Sequence, residues 1–486
     1  MIITNAKIVT PEKIIHGDIV IDSSGKVSQI YSSSEAQAES RSSSPQGRTI
    51  TSEVFDAKGR YVMPGLIEVH GHMREPGLTQ KEDVPHGTAA AVAGGFTTII
   101  DMPNTNPPTT TVSLLRDKIA AIYPGRSHAD YAFFFGVSKD NLSELETVKS
   151  EDIVGFKVFM AGHETTPTTI PDDETLSKVF AIAAKRNILL AVHAEDQFLI
   201  NQLDETLKKT GRTDAKLWSE LRPASVVSRA VERALKLQET YKTTLYLLHL
   251  STPEEFRLVK QAKEKGQKVY GELVSYQLNF NTNDYATIGN KIKVSPALRS
   301  PEVQAELWKL LRSVLTSGVA KRAPARWRNP GLDVLCSEHT PHEWETKNQD
   351  NVWQAQSGMP NIQETLPAVI TNWLKRDLVG RTHKTYEVKS LEACLMTIAK
   401  VSSENPAHIF GFTTKGKIEP GKDADLVILD TQNEWTVKKE DILSKCGWSA
   451  YEGMNLIGRP TTTFLRGKMV YNNGEIVDKP QGLWLH

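Results

Sequence analysis

The chain has 486 residues, 39% of them hydrophobic, and Lys+Arg and Asp+Glu both total 58, so its formal net charge is zero. That balance leaves no basic field for nucleic acid or an anionic membrane, and no run of about 18 apolar residues reads as a membrane span. The length exceeds one ordinary domain and suits a barrel of about 250 residues with insertions plus a smaller companion. Cys336, Cys394 and Cys446 are few, scattered and odd in number, which fits a reducing compartment without a disulfide framework. The N-terminal stretch MIITNAKIVTPEKIIHGDIVI alternates polar and apolar residues and lacks the pattern of a signal peptide, so a cytoplasmic location is expected.

In chain order, residues 1–32 read as short antiparallel strands, IITNAKIVT and GDIVIDSSGKVSQI, with a turn at Ser23–Gly25. Residues 32–52 are Ser-rich and polar and read as a surface loop. From 63 to 404 apolar, β-branched runs alternate with helical periods. FTTIIDMP, DYAFFFGV, IVGFKVFMAG, ILLAVHAE, TLYLLHLS, KVYGELVS and LDVLCSEH read as strands. KEDVPHGTAAAVAGG, DETLSKVFAIAAKRN, ASVVSRAVERALKLQETY and PEEFRLVKQAKEKG read as helices between them. Strands this continuously apolar imply a parallel sheet covered on both faces. About eight such units fit a closed (β/α)8 barrel. An open doubly wound sheet is the alternative, but no Gly-x-Gly-x-x-Gly turn supports a dinucleotide crevice. Strands return after 405, KIEPGKDADLVILDT and TTTFLRGKMVYNNGEIV, the second with an Asn-Asn-Gly hairpin turn. Pairing of residues 405–486 with 1–62 would close a small β-sandwich domain from both termini.

Chemistry concentrates at the predicted strand ends. His70 and His72 end the strand that enters the barrel, and residues two apart on a strand point the same way. Imidazole is the commonest metal ligand. His193 ends ILLAVHAE, His249 ends TLYLLHLS, and Glu338 follows LDVLCS. Any one of these histidines could be a core residue satisfied by a backbone carbonyl. Together they sit at equivalent positions, and active sites of this barrel lie at its C-terminal mouth. Lys157 stands inside an apolar strand, where a buried ammonium is costly. A salt bridge or snorkelling would resolve that cost, and so would a carbamate formed with CO2.

HGHMREPGLTQKEDVPHGTAAAVAGGFTTIIDMPNTNPPTT resembles the dihydroorotases of the amidohydrolase superfamily. GFKVFMAG, VHAED, LHLST, KVSPALRS, HTPHEWETK, GMPNIQETLP and KIEPGKDADLVILD resemble further blocks of that family, in its order. The Arg-Glu-Pro-Gly and Pro-Asn-Thr-Asn-Pro-Pro blocks favour dihydroorotase over allantoinase and dihydropyrimidinase, which share the fold and the metal site. The resemblance implies two zinc ions. His70, His72 and Glu338 would hold one, His193 and His249 the other, and a carboxylated Lys157 would bridge them. Glu338 would carry the proton from the attacking hydroxide to the leaving nitrogen. Arg74, Asn104 and His342 would hold the substrate carboxylate, and Gly358-Met359-Pro360 would contact the ring. A small-molecule substrate and a homodimer are implied, with no nucleic acid or membrane partner.

The chain departs from the family at three places. Glu338 stands where the family has Asp. Val274-Ser275-Tyr276-Gln277-Leu278 stands where a Pro-His-His segment is common, and glycine separates His70 from His72. The first two leave other cyclic ureides, such as allantoin or dihydropyrimidines, as alternatives, and Glu338 leaves a non-catalytic scaffold as another. A basic, Pro-rich segment at 318–331 reads as a surface loop.

Overall fold

A computed structural model describes residues 1–33, 53–162, 166, 168–319, 331–377 and 387–486. Most of the Ser-rich stretch (34–52) and most of the basic segment (320–330) lie outside the described residues. Eight parallel strands form one sheet in chain order: β6 (Leu66–Gly71), β7 (Phe96–Asp101), β8 (Asp130–Gly136), β9 (Gly155–Phe159), β10 (Leu190–His193), β11 (Leu245–Leu250), β12 (Val269–Val274) and β13 (Val334–Cys336). The first and last strands meet through Ser337 N, which donates to Glu68 Oε2 at 2.8 Å, and His72 N, which donates to His339 O at 2.9 Å. The barrel is therefore nearly closed, as expected. Nearly every residue of these strands is buried, because helices cover the outer face while side chains fill the interior.

The crossover helices begin where the sequence supplies caps. Asp83 accepts from His86 N at the start of Val84–Ala93, and Asp172 accepts from Thr175 N before Asp173–Arg186. Thr252 and Glu255 form a reciprocal capping box for Pro253–Glu264. Ala224–Tyr241 spans the whole segment read as helical and buries Val227, Ala230, Val231 and Ala234 along one stripe.

The termini build a second sheet. Its order is β19 (Glu475–Ile476), β18 (Lys468–Asn472), β17 (Arg459–Leu465), β14 (Leu426–Asp430), β5 (Tyr61–Pro64), β1 (Ile2–Val9), β2 (Ile14–Ile21) and β3 (Val27–Ser32), with β4 (Val54–Asp56) also pairing β1, while β15 (Trp435–Thr436) and β16 (Asn455–Leu456) pair with each other apart from it. The two ends of the chain join where Met63 lies opposite Val427. The Asn-Asn-Gly segment turns β18 into β19. Ile3, Ile8, Val62, Leu426, Ile428 and Phe464 share one small core. Phe55 of β4 meets Phe464 of β17 edge to face at 5.4 Å, so the sheet curls over that core. The alternate residues Val9, Met63, Val427 and Leu429 face the barrel core. No helix among the described residues is long and apolar enough to cross a membrane.

Lys415 fastens the terminal sheet to the barrel floor. Its buried ammonium lies 2.5 Å from Asp130 Oδ2, 2.8 Å from Asp425 Oδ2 and 3.1 Å from Asp423 Oδ2. Removing one partner of a buried ion cluster strands the rest. Lys415→Met is expected to cost about 3–5 kcal/mol, read as a lower midpoint in urea unfolding. An unchanged midpoint would mean that Arg466, which also pairs with Asp130, compensates alone.

Candidate metal centre at the barrel mouth

Neighbouring strands bring the expected ligands together. His70 lies in β6 and His72 one residue beyond it, on the same side, their rings 5.4 Å apart. Lys157 is central in β9, His193 ends β10, His249 is the penultimate residue of β11, and Glu338 follows β13 by two residues. All six are buried, none more than 8% exposed. Donor atoms of His70, His249 and Glu338 lie within 4.8 Å of one another. His193 Nδ1 is 2.7 Å from His249 Nε2, and Lys157 exerts its charge on all four histidines. His70, His72, His193 and Glu338 line one cavity together with Asn104 and Tyr276.

Arg74, Asn104 and His342 gather at the same rim with different partners. Asn104 Oδ1 sits 2.5 Å from His72 Nδ1, so this side chain orients a ligand candidate. His342 Nε2 donates to Ser357 O at 2.9 Å, while Lys81 Nζ approaches Nδ1 at 3.4 Å. With that tautomer, Arg74 Nη2 at 3.3 Å faces another donor. Arg74 Nε donates to Pro341 O at 3.2 Å, and Nη1 is buried with no hydrogen-bond partner among the described residues. Arg74 and His342 are not among the residues that line this cavity. The loop at Gly358 does reach the wall, and its φ of 129° requires glycine: a Cβ there would sit 2.8 Å from Thr340 O and 2.9 Å from His342 Nε2. Arg74, His249 and Glu338 themselves have positive φ, at 62°, 41° and 51°. Such strain in non-glycine residues concentrates at functional sites.

Three acidic residues behind the ligands were not anticipated in this role. Glu272 Oε1 accepts from His70 Nδ1 at 2.8 Å and from His249 N at 2.9 Å, and Tyr246 OH holds its other oxygen at 2.9 Å. Glu195 Oε2 accepts from His193 Nε2 at 3.0 Å. Glu68 accepts from the amides of His70 and Ser337. Glu272, Asn104 and Glu195 fix the tautomers of His70, His72 and His193, which leaves His70 Nε2, His72 Nε2 and His193 Nδ1 as lone-pair donors. The signal was present in the sequence: Glu68 and Glu195 stand two residues from a histidine on the same strand or its extension, hence on the same side.

Burial holds all four of these imidazoles below the ordinary histidine range, His70, His72 and His249 furthest. Neutral imidazole is the form that ligates. Burial also brings Lys157 down to about 7, and Nζ has no hydrogen-bond partner among the described residues. It raises the Glu338 carboxyl well above the carboxylate range, and Glu272 and Glu68 to about 7. Neutral nitrogen donors, an amine and a His249 Nδ1 that have no partner among the described residues, and a carboxyl group in one buried cluster form a donor set that fits divalent cations of borderline softness.

Comparison with known proteins agrees with this geometry. Residues 61–286 and 378–470 match the model of the Amidohydrolase family. The L-hydantoinase of Paenarthrobacter aurescens is 31% identical over 482 residues, covering 98% of this chain and 95% of that one. The allantoinase of Rubrobacter xylanophilus is 32% identical over 431 residues, 88% of each chain. A solved L-hydantoinase (dihydropyrimidinase) from Arthrobacter aurescens has a TM-score of 0.83 at 30% identity and covers 98% of this chain and 97% of its own. Dihydroorotases, such as that of Methanosphaera stadtmanae at 28% identity, are also among the relatives. The names thus divide among several ring specificities, while one family encloses them all: the chain belongs to the amidohydrolase family.

Proposed function

We propose that the protein hydrolyses an uncharged cyclic ureide, a ring of the hydantoin or allantoin kind, at a pair of divalent cations. The observation that carries the ring class is the cavity wall. Asn104, Ser295, Thr340 and Ser357 supply neutral polar groups, Phe159 and Val294 supply apolar surface, and no Lys or Arg lines it among the described residues. A ring carboxylate would find no guanidinium or ammonium on that wall to pair with. The relatives named L-hydantoinase and allantoinase support the same class.

His70, His72 and Glu338 would hold one ion, His193 and His249 the other, with Lys157 as a carbamate between them. The nitrogen-rich donor set suits zinc. Ions bound there would supply a water of lowered pKa and a Lewis acid for the ring carbonyl. The chain's own contribution is proton transfer and orientation. Glu338 accepts the proton of the attacking water and delivers it to the ring nitrogen as the C–N bond breaks. Glu272, Glu195 and Asn104 hold the imidazoles in place while this happens. A non-catalytic scaffold, the reading that Glu338 left open, finds no support among relatives named as hydrolases.

A second reading, dihydroorotate, is favoured by the uncommitted donors of Arg74, whose Nη1 is buried without a partner among the described residues. A substrate panel decides between the two. Purified protein, its metal counted by emission spectroscopy, is assayed on 5-substituted hydantoins, allantoin, dihydrouracil and dihydroorotate. The expected result is a kcat/KM on an uncharged ring at least about tenfold above that on dihydroorotate, a gap of about 1.4 kcal/mol in transition-state binding. Preference for dihydroorotate would overturn the assignment and move Arg74 into the substrate site.

A further inference from the structure

The geometry points to Tyr276 as the positioning residue of the reaction: its phenol clamps the Glu338 carboxylate and fixes which oxygen faces the histidines. The inference rests on the reading of Glu338 as proton carrier and ligand. Glu338 has one more rotatable bond than an aspartate, and its backbone is held at φ 51°. Its carboxylate accepts one hydrogen bond among the described residues, from Tyr276 OH to Oε2. The other oxygen, Oε1, is thereby turned toward His70, 3.9 Å from Nε2.

Tyr276 is itself rigidly held. It lies two residues beyond β12, whose Val274 pairs with Cys336 of β13, and Glu338 lies two residues beyond β13, so Tyr276 and Glu338 leave adjacent strand ends together. Its ring is 1% exposed and belongs to the core around Val274 and Val294. Ser275 beside it is pinned by Thr365 Oγ1 at 2.9 Å and Asn361 Nδ2 at 2.8 Å. A fixed donor beside a long, flexible acceptor removes the rotamer freedom that would otherwise displace the carboxylate. A displacement near 1 Å at a reacting group costs on the order of a hundredfold in rate. The two departures from the family pattern, at Glu338 and at Tyr276, are thus one contact.

A double-mutant cycle of Tyr276→Phe and Glu338→Asp tests this. Tyr276→Phe removes one oxygen and keeps the ring, so the core packing is retained. On the best substrate of the panel, Tyr276→Phe is expected to lower kcat about tenfold with KM within about twofold. In the Glu338→Asp background, where the shorter side chain falls short of the phenol, the same change is expected to cost less than about twofold. Two readouts need no turnover. Release of bound zinc to a chelator should be faster in Tyr276→Phe than in the parent, and no faster in the double variant than in Glu338→Asp. A crystal structure of Tyr276→Phe should place the Glu338 carboxylate in a second rotamer. Multiplicative losses across the cycle, or an unmoved Glu338 in that crystal structure, overturn the clamp. A panel on which nothing turns over would overturn the proposed function instead, and the Glu338 rotamer would still report on the clamp.

Discussion

Lys157→Ala is expected to abolish turnover, with kcat lowered at least about 10³-fold, equivalent to roughly 4 kcal/mol of lost stabilisation. The reason begins with burial. Lys157 is fully buried in β9, its amine has no hydrogen-bond partner among the described residues, and it lies 4.4 Å from the centroid of the Phe159 ring. Burial depresses its pKa to about 7, so above that pH the amine is neutral and nucleophilic. Its lone pair can attack the carbon of CO2. The N–C bond forms, a C–O π pair moves to oxygen, and the nitrogen proton leaves to solvent. The product is an anion with two oxygen donors among neutral imidazoles, the charge that a pair of divalent ions needs. Lys157→Arg separates this account from a plain loss of positive charge, because a guanidinium keeps the charge and forms no carbamate. Both variants should lose bound metal by emission spectroscopy. Reconstitution of the parent with zinc should respond to added bicarbonate more strongly above pH 7 than below it, since the reactive amine fraction rises with pH through its pKa. Full metal content and activity in Lys157→Arg would remove the carbamate from the mechanism.

The architecture was legible in the sequence because its periodicities are strong. Strands such as DYAFFFG and LYLLHL are apolar without interruption, and only a sheet covered on both faces accommodates that. The ligand candidates were legible for the same reason: once the barrel is granted, strand ends converge on one rim, and His70, His193 and His249 stand at strand ends. Long-range pairing was not legible. Tyr276 and Glu338 are 62 positions apart and meet because β12 and β13 are neighbours. Asn104 reads from sequence as a turn residue or a substrate contact, whereas its carbonyl lies against His72, a partner chosen by the fold of the loop after β7. The left-handed backbone at Arg74 and Glu338 leaves no mark in residue type, since neither favours it, and of the three only His249 is of a type enriched there. Ring specificity was least legible, because the cavity wall is assembled from separate loops at Val294–Ser295, Thr340 and Ser357–Gly358. The individual blocks resemble those of dihydroorotases, yet the surface they form carries neutral groups.

Glu338→Gln is expected to lower kcat about 10²- to 10⁴-fold, the range for loss of a positioned general acid–base group, with KM changed far less. The substitution keeps shape and an oxygen donor but removes the ability to take up and release a proton. Its environment suits that task. The carboxylate is buried against Glu272 and Glu68, and burial foremost pushes its pKa well above the ordinary value, so a proton accepted there is retained long enough to be passed to the ring nitrogen. Tyr276 OH can still contact the amide oxygen of glutamine, so metal retention should fall less in Glu338→Gln than in Glu338→Ala. That contrast separates the two duties assigned to this side chain. If Glu338→Gln keeps its ions and loses its rate, proton transfer is the missing step. If it loses both in the same proportion as Glu338→Ala, ligation accounts for the whole effect. A variant that keeps most of its rate would require another proton carrier at the rim, and His342, 2.9 Å from the carbonyl of the cavity-lining Ser357, would be the residue to mutate next.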